Sequence, residues 1–287
     1  MPKLTKKNLI ILSVLLVIFS ALTIWIIWGN TALQLTEYTI TSPKLSNEFD
    51  GFRIAQVSDL HNTEIGDGNK KLIKMIADAK PDIIVLTGDI IDSRRTDIEI
   101  ALAFTKEAVK IAPCYYITGN HESRIDEYDT FKSGLISQGI TVLENESVYF
   151  EKADGKIRLI GVSDPLFSTD NESHSSVIMK NTLDLMNIKG DYFTVLLSHR
   201  PELFKVYKEY PIDLVLSGHA HGGQFRLPFI GGVFVPSQGL FPEYDAGLFY
   251  ENGTSMIISR GIGNSVIPVR INNRPEVVLI ELKKSTD

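Results

Sequence analysis

From Asn8 to Trp28 the chain runs through apolar residues without a single charge, a stretch of about 20 residues, which is what a helix needs to cross a bilayer core. It is longer than the apolar region of a secretory signal, and no small-residue cleavage site follows it cleanly, so the pattern predicts a retained transmembrane anchor over residues 8–28. Lys3, Lys6 and Lys7 precede the span, whereas Glu37, Glu48 and Asp50 follow it. The excess of positive charge before the span places residues 1–7 in the cytoplasm and the rest of the chain outside the cytoplasm. Trp25 and Trp28 fall at its outer end, the level where indole rings favour the interface.

Beyond a polar stretch, read as a linker over residues 29–44, the pattern changes. Short apolar runs of strand length recur at Phe52–Val57, 82–87, Cys114–Ile117, 158–162, Phe193–Leu197, 213–216, 256–259 and 277–282. They read as buried strands. Between them Leu72, Met75, Ile76 and Ala79 share one helical face, and Thr96 with Glu99 has the spacing of a capping box ahead of a helix running to about Lys110. Alternating strands and helices predict an α/β body with parallel pairing, treated as one domain over residues 45–287.

Composition narrows the function. The chain has 287 residues, 44% hydrophobic and 22% charged, with a formal net charge of −6. That acidic balance disfavours nucleic acid as a partner, because such binding rests on clustered Lys and Arg. The single cysteine, Cys114, sits in an apolar run and reads as a packed core thiol.

The chemistry lies at the strand ends. Five of the runs are followed by short polar motifs: Ser58-Asp59-Leu60-His61, Gly88-Asp89-Ile90-Ile91-Asp92, Gly119-Asn120-His121-Glu122, Ser198-His199-Arg200 and Gly218-His219-Ala220-His221. Of the 6 histidines, His174 alone lies outside these motifs, and in open α/β sheets ligands collect beyond the carboxyl ends of strands. Singly each piece has an ordinary reading: Asp59 a cap, His199 a core imidazole, Gly119-Asn120 a turn. Together they offer imidazole and carboxylate donors suited to manganese, iron or zinc, with no thiolate to close a structural zinc site. Taken as extended segments, Asp59-x-His61 and His219-x-His221 would each turn two side chains to one side. Arg200 could fork onto a phosphate or form a surface salt bridge.

The ordered set of motifs resembles the calcineurin-like metallophosphoesterase superfamily. His221-Gly222-Gly223-Gln224, Ser259-Arg260-Gly261-Ile262-Gly263 and the stretch from Pro268-Val269-Arg270 to Pro275-Glu276 resemble its membrane-associated bacterial subgroup. The resemblance implies a four-layer α/β/β/α sandwich of two mixed sheets flanked by helices. It implies two divalent metal ions, with Asp59, His61 and His221 on one, Asn120, His199 and His219 on the other, and Asp89 bridging. It also implies that His121 touches substrate and not metal. Two such ions can acidify a bound water to hydroxide and neutralise phosphoryl oxygens, so the expected reaction is hydrolysis of a phosphate ester, mono-, di- or pyrophosphate. His121 then stands ready to serve the leaving oxygen, with Asp92 orienting its ring, although a turn or cap role for Asp92 is equally open. The aromatic-rich stretch from Gly222 to Tyr250 could cover a substrate, and an apolar cover would suit a lipid phosphoester; ordinary loop packing is the commoner explanation. Alternatives are a lipid-linked or nucleotide-sugar pyrophosphatase of the same superfamily and a regulator that only binds metal.

Overall fold

A computed structural model describes residues 5–264 and 268–285. Lys3, one of the three lysines placed on the cytoplasmic side, lies outside the described residues. Thr5 caps the first helix by accepting the N–H of Asn8 at 3.3 Å. That helix, α1 (Lys6–Thr31), is exposed along the apolar stretch and buries only Gly29, at its end against the body. It is the one helix among the described residues long and apolar enough to cross a membrane.

The body follows as β1 (Gln34–Ser42), β2 (Phe52–Val57), α2 (Lys70–Ala79), β3 (Ile83–Thr87), α3 (Ile98–Ala108), β4 (Cys114–Ile117), α4 (Tyr128–Ser137) and β5 (Thr141–Val142). Then come β6 (Glu146–Lys152), β7 (Gly155–Gly161), α5 (Ser175–Leu185), β8 (Phe193–Leu197), α6 (Phe204–Tyr207) and β9 (Leu214–Ser217). Two small hairpins, β10 (Arg226–Leu227) with β11 (Gly231–Gly232) and β12 (Phe234–Val235) with β13 (Gly239–Leu240), precede β14 (Gly247–Glu251), β15 (Thr254–Ile258) and β16 (Glu276–Lys284).

The strands form two six-stranded sheets, ordered β1-β16-β2-β3-β4-β5 and β14-β15-β9-β8-β7-β6. Both are mixed: β2, β3 and β4 run parallel beside antiparallel β16, and β7, β8, β9 and β15 run parallel between antiparallel β6 and β14. The central strands read as continuous apolar runs because both of their faces are covered. In β3, Ile83 and Val85 point between the sheets, where they join Ile54, Val195, Leu216 and Val278, whereas Ile84 and Leu86 face the helix side with Leu72, Phe104 and Phe131. On the far side of the second sheet, Leu196 and Val215 pack with Met179 and Leu183 of α5 and Phe204 of α6. The result is a four-layer arrangement, helix, sheet, sheet, helix.

The linker and helix-cap expectations differ from this fold. Residues 34–42, within the expected linker, form β1, which pairs with β16 from Gln34↔Glu276 to Ser42↔Lys284. Its half-polar sequence QLTEYTITS suits an edge strand and lacks the continuous apolar run of a central one. The cap of α3 is Asp97 and not Thr96: Asp97 Oδ1 accepts from Glu99 N at 3.1 Å and Ile100 N at 3.4 Å, which puts Ile100 and not Glu99 three residues after the cap, so the expected capping box does not form.

One polar tie crosses the apolar layer between the sheets. Gln56 Nε2 donates to Thr87 Oγ1 at 3.0 Å in its own sheet and to the Ser217 carbonyl at 2.8 Å in the other. It fixes the carboxyl ends of β2, β3 and β9 relative to one another, and those ends carry the polar motifs.

Candidate metal centre

Each polar motif follows the carboxyl end of a strand: Asp59 after β2, Asp89 after β3, Asn120 after β4, His199 after β8 and His219 after β9. The structure brings Asp59, His61, Asp89, Asn120, His121, His199, His219 and His221 to one crevice and leaves His174 on the exposed surface. The loops are laced together by their backbones. Asp59 N donates to Gly88 O at 3.0 Å, His61 N to Asp89 O at 3.1 Å, and Gly218 N to His199 O at 3.1 Å.

This close lacing explains the glycines in the motifs. A Cβ on Gly119 would stand 2.2 Å from Asp89 Oδ1, and one on Gly218 would stand 1.9 Å from Ser58 Oγ. No side chain fits at either position.

Among the described residues two donor triads flank Asp89: Asp59, His61 and His221 form one, and Asp89, His199 and His219 the other; a third close group, His61, Asp92 and His121, shares His61 with the first, and the ligand atoms of each group lie within 4.8 Å of one another. In the first, His221 Nε2 is 3.1 Å from His61 Nε2 and 3.2 Å from Asp59 Oδ1. In the second, His199 Nε2 is 3.2 Å from both Asp89 Oδ2 and His219 Nδ1. The same Asp89 Oδ2 lies 3.7 Å from His61 Nε2, so one carboxylate oxygen faces both triads. Asp89 Oδ1 is engaged elsewhere, accepting the N–H of His121 at 2.8 Å.

The extended geometry expected for Asp59-x-His61 and His219-x-His221 does not occur. Asp59 (φ 52), His61 (φ 47), Asp89 (φ 51), His219 (φ 67) and His221 (φ 46) all adopt left-handed backbone conformations. L-residues avoid this region, and such strain concentrates at ligand-holding sites where the surroundings over-determine it. Turning the backbone at each residue, and not alternating along a strand, is what aims both side chains of each motif inward.

The donor chemistry suits cations. His199 Nδ1 lies 2.8 Å from the Thr87 carbonyl, which can only accept, so Nδ1 carries a proton and Nε2 is the atom turned toward the other donors. Asn120 Oδ1 is buried without a hydrogen bond, a costly state for a carbonyl unless a cation meets it. Burial pushes the pKa of His61 down to about 3, leaving a neutral imidazole. Burial would also depress His199, but the Asp89 and Asp59 carboxylates outweigh it and raise its pKa to about 10. Burial would raise Asp89 and Asp59, yet the neighbouring histidines hold both carboxyls well below their usual range. Anionic oxygens and imidazole nitrogens thus converge with too few protons to satisfy them all, an arrangement that divalent ions complete.

His121 stands at the pocket wall with Arg124, Glu172, Pro236 and Ser237. Its Nδ1 accepts the backbone N–H of Ser93 at 3.0 Å, which puts the proton of the neutral ring on Nε2, 4.0 Å from Asp89 Oδ2. Asp92 Oδ1 lies 3.4 Å from the same Nδ1 but already binds the backbone N–H and Nε of Arg94, each at 3.0 Å.

Two residues have roles that the sequence did not define. Glu122 is fully buried and accepts four backbone N–H groups, from Asp89, Ile90, Ile91 and Gly119, at 2.7 to 3.2 Å. It pins the loops carrying Asp89 and Asn120, even though burial and Asp89 push its pKa up to about 7. Its place in Gly119-Asn120-His121-Glu122 was the only signal. Arg200 does not lie on the surface: it is 1% exposed and forms a forked pair with Asp164 at 2.7 and 3.2 Å. A buried guanidinium needs such a partner.

The family model for calcineurin-like phosphoesterases matches residues 52–223, from β2 through the His219-x-His221 motif after β9. The chain is 32% identical over 260 residues to the metallophosphoesterase YkuE of Bacillus subtilis, covering 88% of this chain and 86% of YkuE. It is 28% identical to the UDP-2,3-diacylglucosamine pyrophosphatase LpxG of Chlamydia muridarum, covering 88% of this chain and 92% of that protein. Among solved structures, TT1561 of Thermus thermophilus aligns with a TM-score of 0.51 at 15% identity, covering 74% of this chain and 90% of TT1561, a likeness of fold.

Proposed function

Because the chain belongs to the calcineurin-like phosphoesterase family and is a metal-dependent phosphoester hydrolase, we propose that it is a single-pass membrane enzyme that cleaves a phosphate ester outside the cytoplasm. The observation that carries the reading is the convergence of two donor triads on one shared oxygen of Asp89. Asp59, His61 and His221 hold one divalent ion in this proposal, and Asn120, His199 and His219 the other, with Asp89 between them. Manganese, iron or zinc would suit the nitrogen and oxygen donors. Such a pair supplies charge neutralisation for the phosphoryl oxygens and a more acidic water for attack.

The chain's own groups divide the remaining work. Ser93 fixes the His121 ring so that Nε2–H points into the pocket, where it donates to the leaving oxygen as that oxygen gains charge. If the ring takes a second proton, Nδ1–H must turn from Ser93 to Asp92 Oδ1, 3.4 Å away, which makes Asp92 a positioning residue. Glu122 keeps the Asp89 and Asn120 loops in register.

Anchorage rests on α1, and the side of the membrane on Lys6 and Lys7 before the span. Protease added to intact cells should reach the body; protection of the body with an accessible N-terminus would reverse the topology. A second reading within the family, a lipid-linked or nucleotide-sugar pyrophosphatase, is favoured by the exposed apolar side chains of the segment that contributes Pro236 and Ser237 to the pocket. Full-length protein loaded with each metal in turn and assayed on alkyl monoesters, diesters and nucleotide-sugar pyrophosphates separates the two. Hydrolysis of none of the three by metal-loaded protein would contradict both.

A further inference from the structure

We propose that the paired hairpins β10–β13 form a second membrane contact, seated in the lipid bilayer beside α1. Within 15 residues the segment exposes Leu227, Phe229, Ile230, Phe234, Leu240 and Phe241, with Phe229 108% and Leu240 69% exposed. Exposed apolar side chains gathered in one place mark a surface that something covers. The segment is not loose packing that failed to close. Asp245 Oδ2 accepts from Arg226 Nη1 at 2.9 Å and from Gly232 N at 2.5 Å, bracing the first hairpin, while Val233 joins the two hairpins, its N–H donating to Phe225 O at 2.8 Å and its carbonyl accepting from Phe241 N at 2.9 Å.

The neighbouring chemistry identifies the cover. The last turn of α1 is fixed to the body where the side-chain amide of Asn30 pairs with the backbone of Arg270: Nδ2 donates to Arg270 O at 3.1 Å, and Arg270 N donates to Oδ1 at 2.8 Å. The next two residues hold the hairpin. Arg226 N donates to Ile271 O at 3.0 Å, and Asn272 Nδ2 donates to Arg226 O at 3.2 Å. The exit of the span and the base of the hairpin therefore share one three-residue strip, Arg270 to Asn272. A cavity of about 200 Å³ at this junction is lined by Trp25, Trp28, Arg260 and Arg274, among others, and the Arg274 guanidinium lies 4.8 Å from the Trp28 ring centroid. Indoles and guanidiniums at the end of an apolar helix are the side chains that settle among lipid headgroups. Apolar tips beside that level are placed to enter the acyl boundary.

The occupant is thus a phospholipid bilayer and not a soluble protein. Because the same segment supplies Pro236 and Ser237 to the metal pocket, docking brings the pocket mouth to the membrane surface, where an amphiphilic phosphoester resides.

The contact can be tested without any assay of hydrolysis. The chain's one cysteine, Cys114, is 2% exposed, so single cysteines introduced on the surface can be labelled selectively. Phe229→Cys and Leu240→Cys, with Leu185→Cys as control, would be made in the full-length chain, labelled with an environment-sensitive dye and reconstituted into phosphatidylcholine vesicles containing nitroxide-labelled acyl chains. Leu185 lies on α5 and is 87% exposed. The dye at positions 229 and 240 should shift to the blue and lose intensity to the nitroxide lipid, while the dye at 185 does neither. Equal quenching at all three positions would overturn the proposal. So would shielding of 229 and 240 from aqueous iodide without nitroxide quenching, since that result means a second copy of the chain or another protein covers the patch.

Discussion

The Nδ1 atom of His121 accepts the backbone N–H of Ser93 at 3.0 Å. A backbone N–H can only donate, so the neutral ring must present Nε2–H to the pocket. That Nε2 lies 4.0 Å from Asp89 Oδ2, beside the ligand atoms, and in the proposed mechanism it serves the leaving group. His121→Ala should therefore keep both metals and the fold while losing on the order of 10² to 10⁴ in turnover. The loss should be largest on an alkyl phosphate ester and smallest on a nitrophenyl ester, whose leaving group departs without help. Loss of a metal would make His121 a ligand, and an equal loss across leaving groups would remove it from the leaving oxygen.

Glu122 shows how loop geometry is maintained. Its carboxylate satisfies four buried backbone donors, and leaving even one unsatisfied costs about 1–3 kcal/mol. Glu122→Ala should destabilise the body by about 3 kcal/mol or more and weaken metal retention, because the Asp89 and Asn120 loops lose their common anchor. Denaturant unfolding with parallel metal analysis checks this. Unchanged stability would mean that water replaces the carboxylate without loss.

Metal loading should release protons. The Asp89 and Asp59 carboxylates hold a proton on His199, with its pKa raised to about 10, whereas His61, at about 3, is already neutral. A metal at the Nε2 position must displace the His199 proton, so near neutral pH about one proton should leave per chain loaded, and affinity should rise with pH up to about 10. Calorimetric titration with manganese in buffers of different ionisation enthalpy counts the protons. Uptake without release would mean that His199 is already neutral before the metal binds, its one proton on Nδ1 toward Thr87.

How far the sequence speaks depends on where each residue lies. Central strands such as Phe52–Val57 and Phe193–Leu197 match their sequence expectation because burial on both faces demands unbroken apolar runs. Edge strands Gln34–Ser42 and Glu146–Lys152 carry alternating polar residues and escaped that criterion. The grouping of Asp59, Asp89, Asn120, His199 and His219 was legible because each follows a strand end. The left-handed turns at Asp59, His61 and His221 were not, since no local rule forces a non-glycine residue into that region. The roles of Glu122 and Arg200 depend on partners 31 to 36 residues away, the Asp89 loop for Glu122 and Asp164 for Arg200, which spacing alone does not reveal.

The central claim is that two divalent ions share Asp89 and that hydrolysis depends on both. The direct measurement is metal content and phosphoester turnover, taken together on full-length wild-type protein and on Asp89→Asn after loading with manganese. About two ions per chain are expected for the wild type, with Asp89→Asn losing more metal than any single histidine variant and losing turnover with it, because the bridging carboxylate supports both sites. Retention of two ions and full turnover by Asp89→Asn would contradict the account.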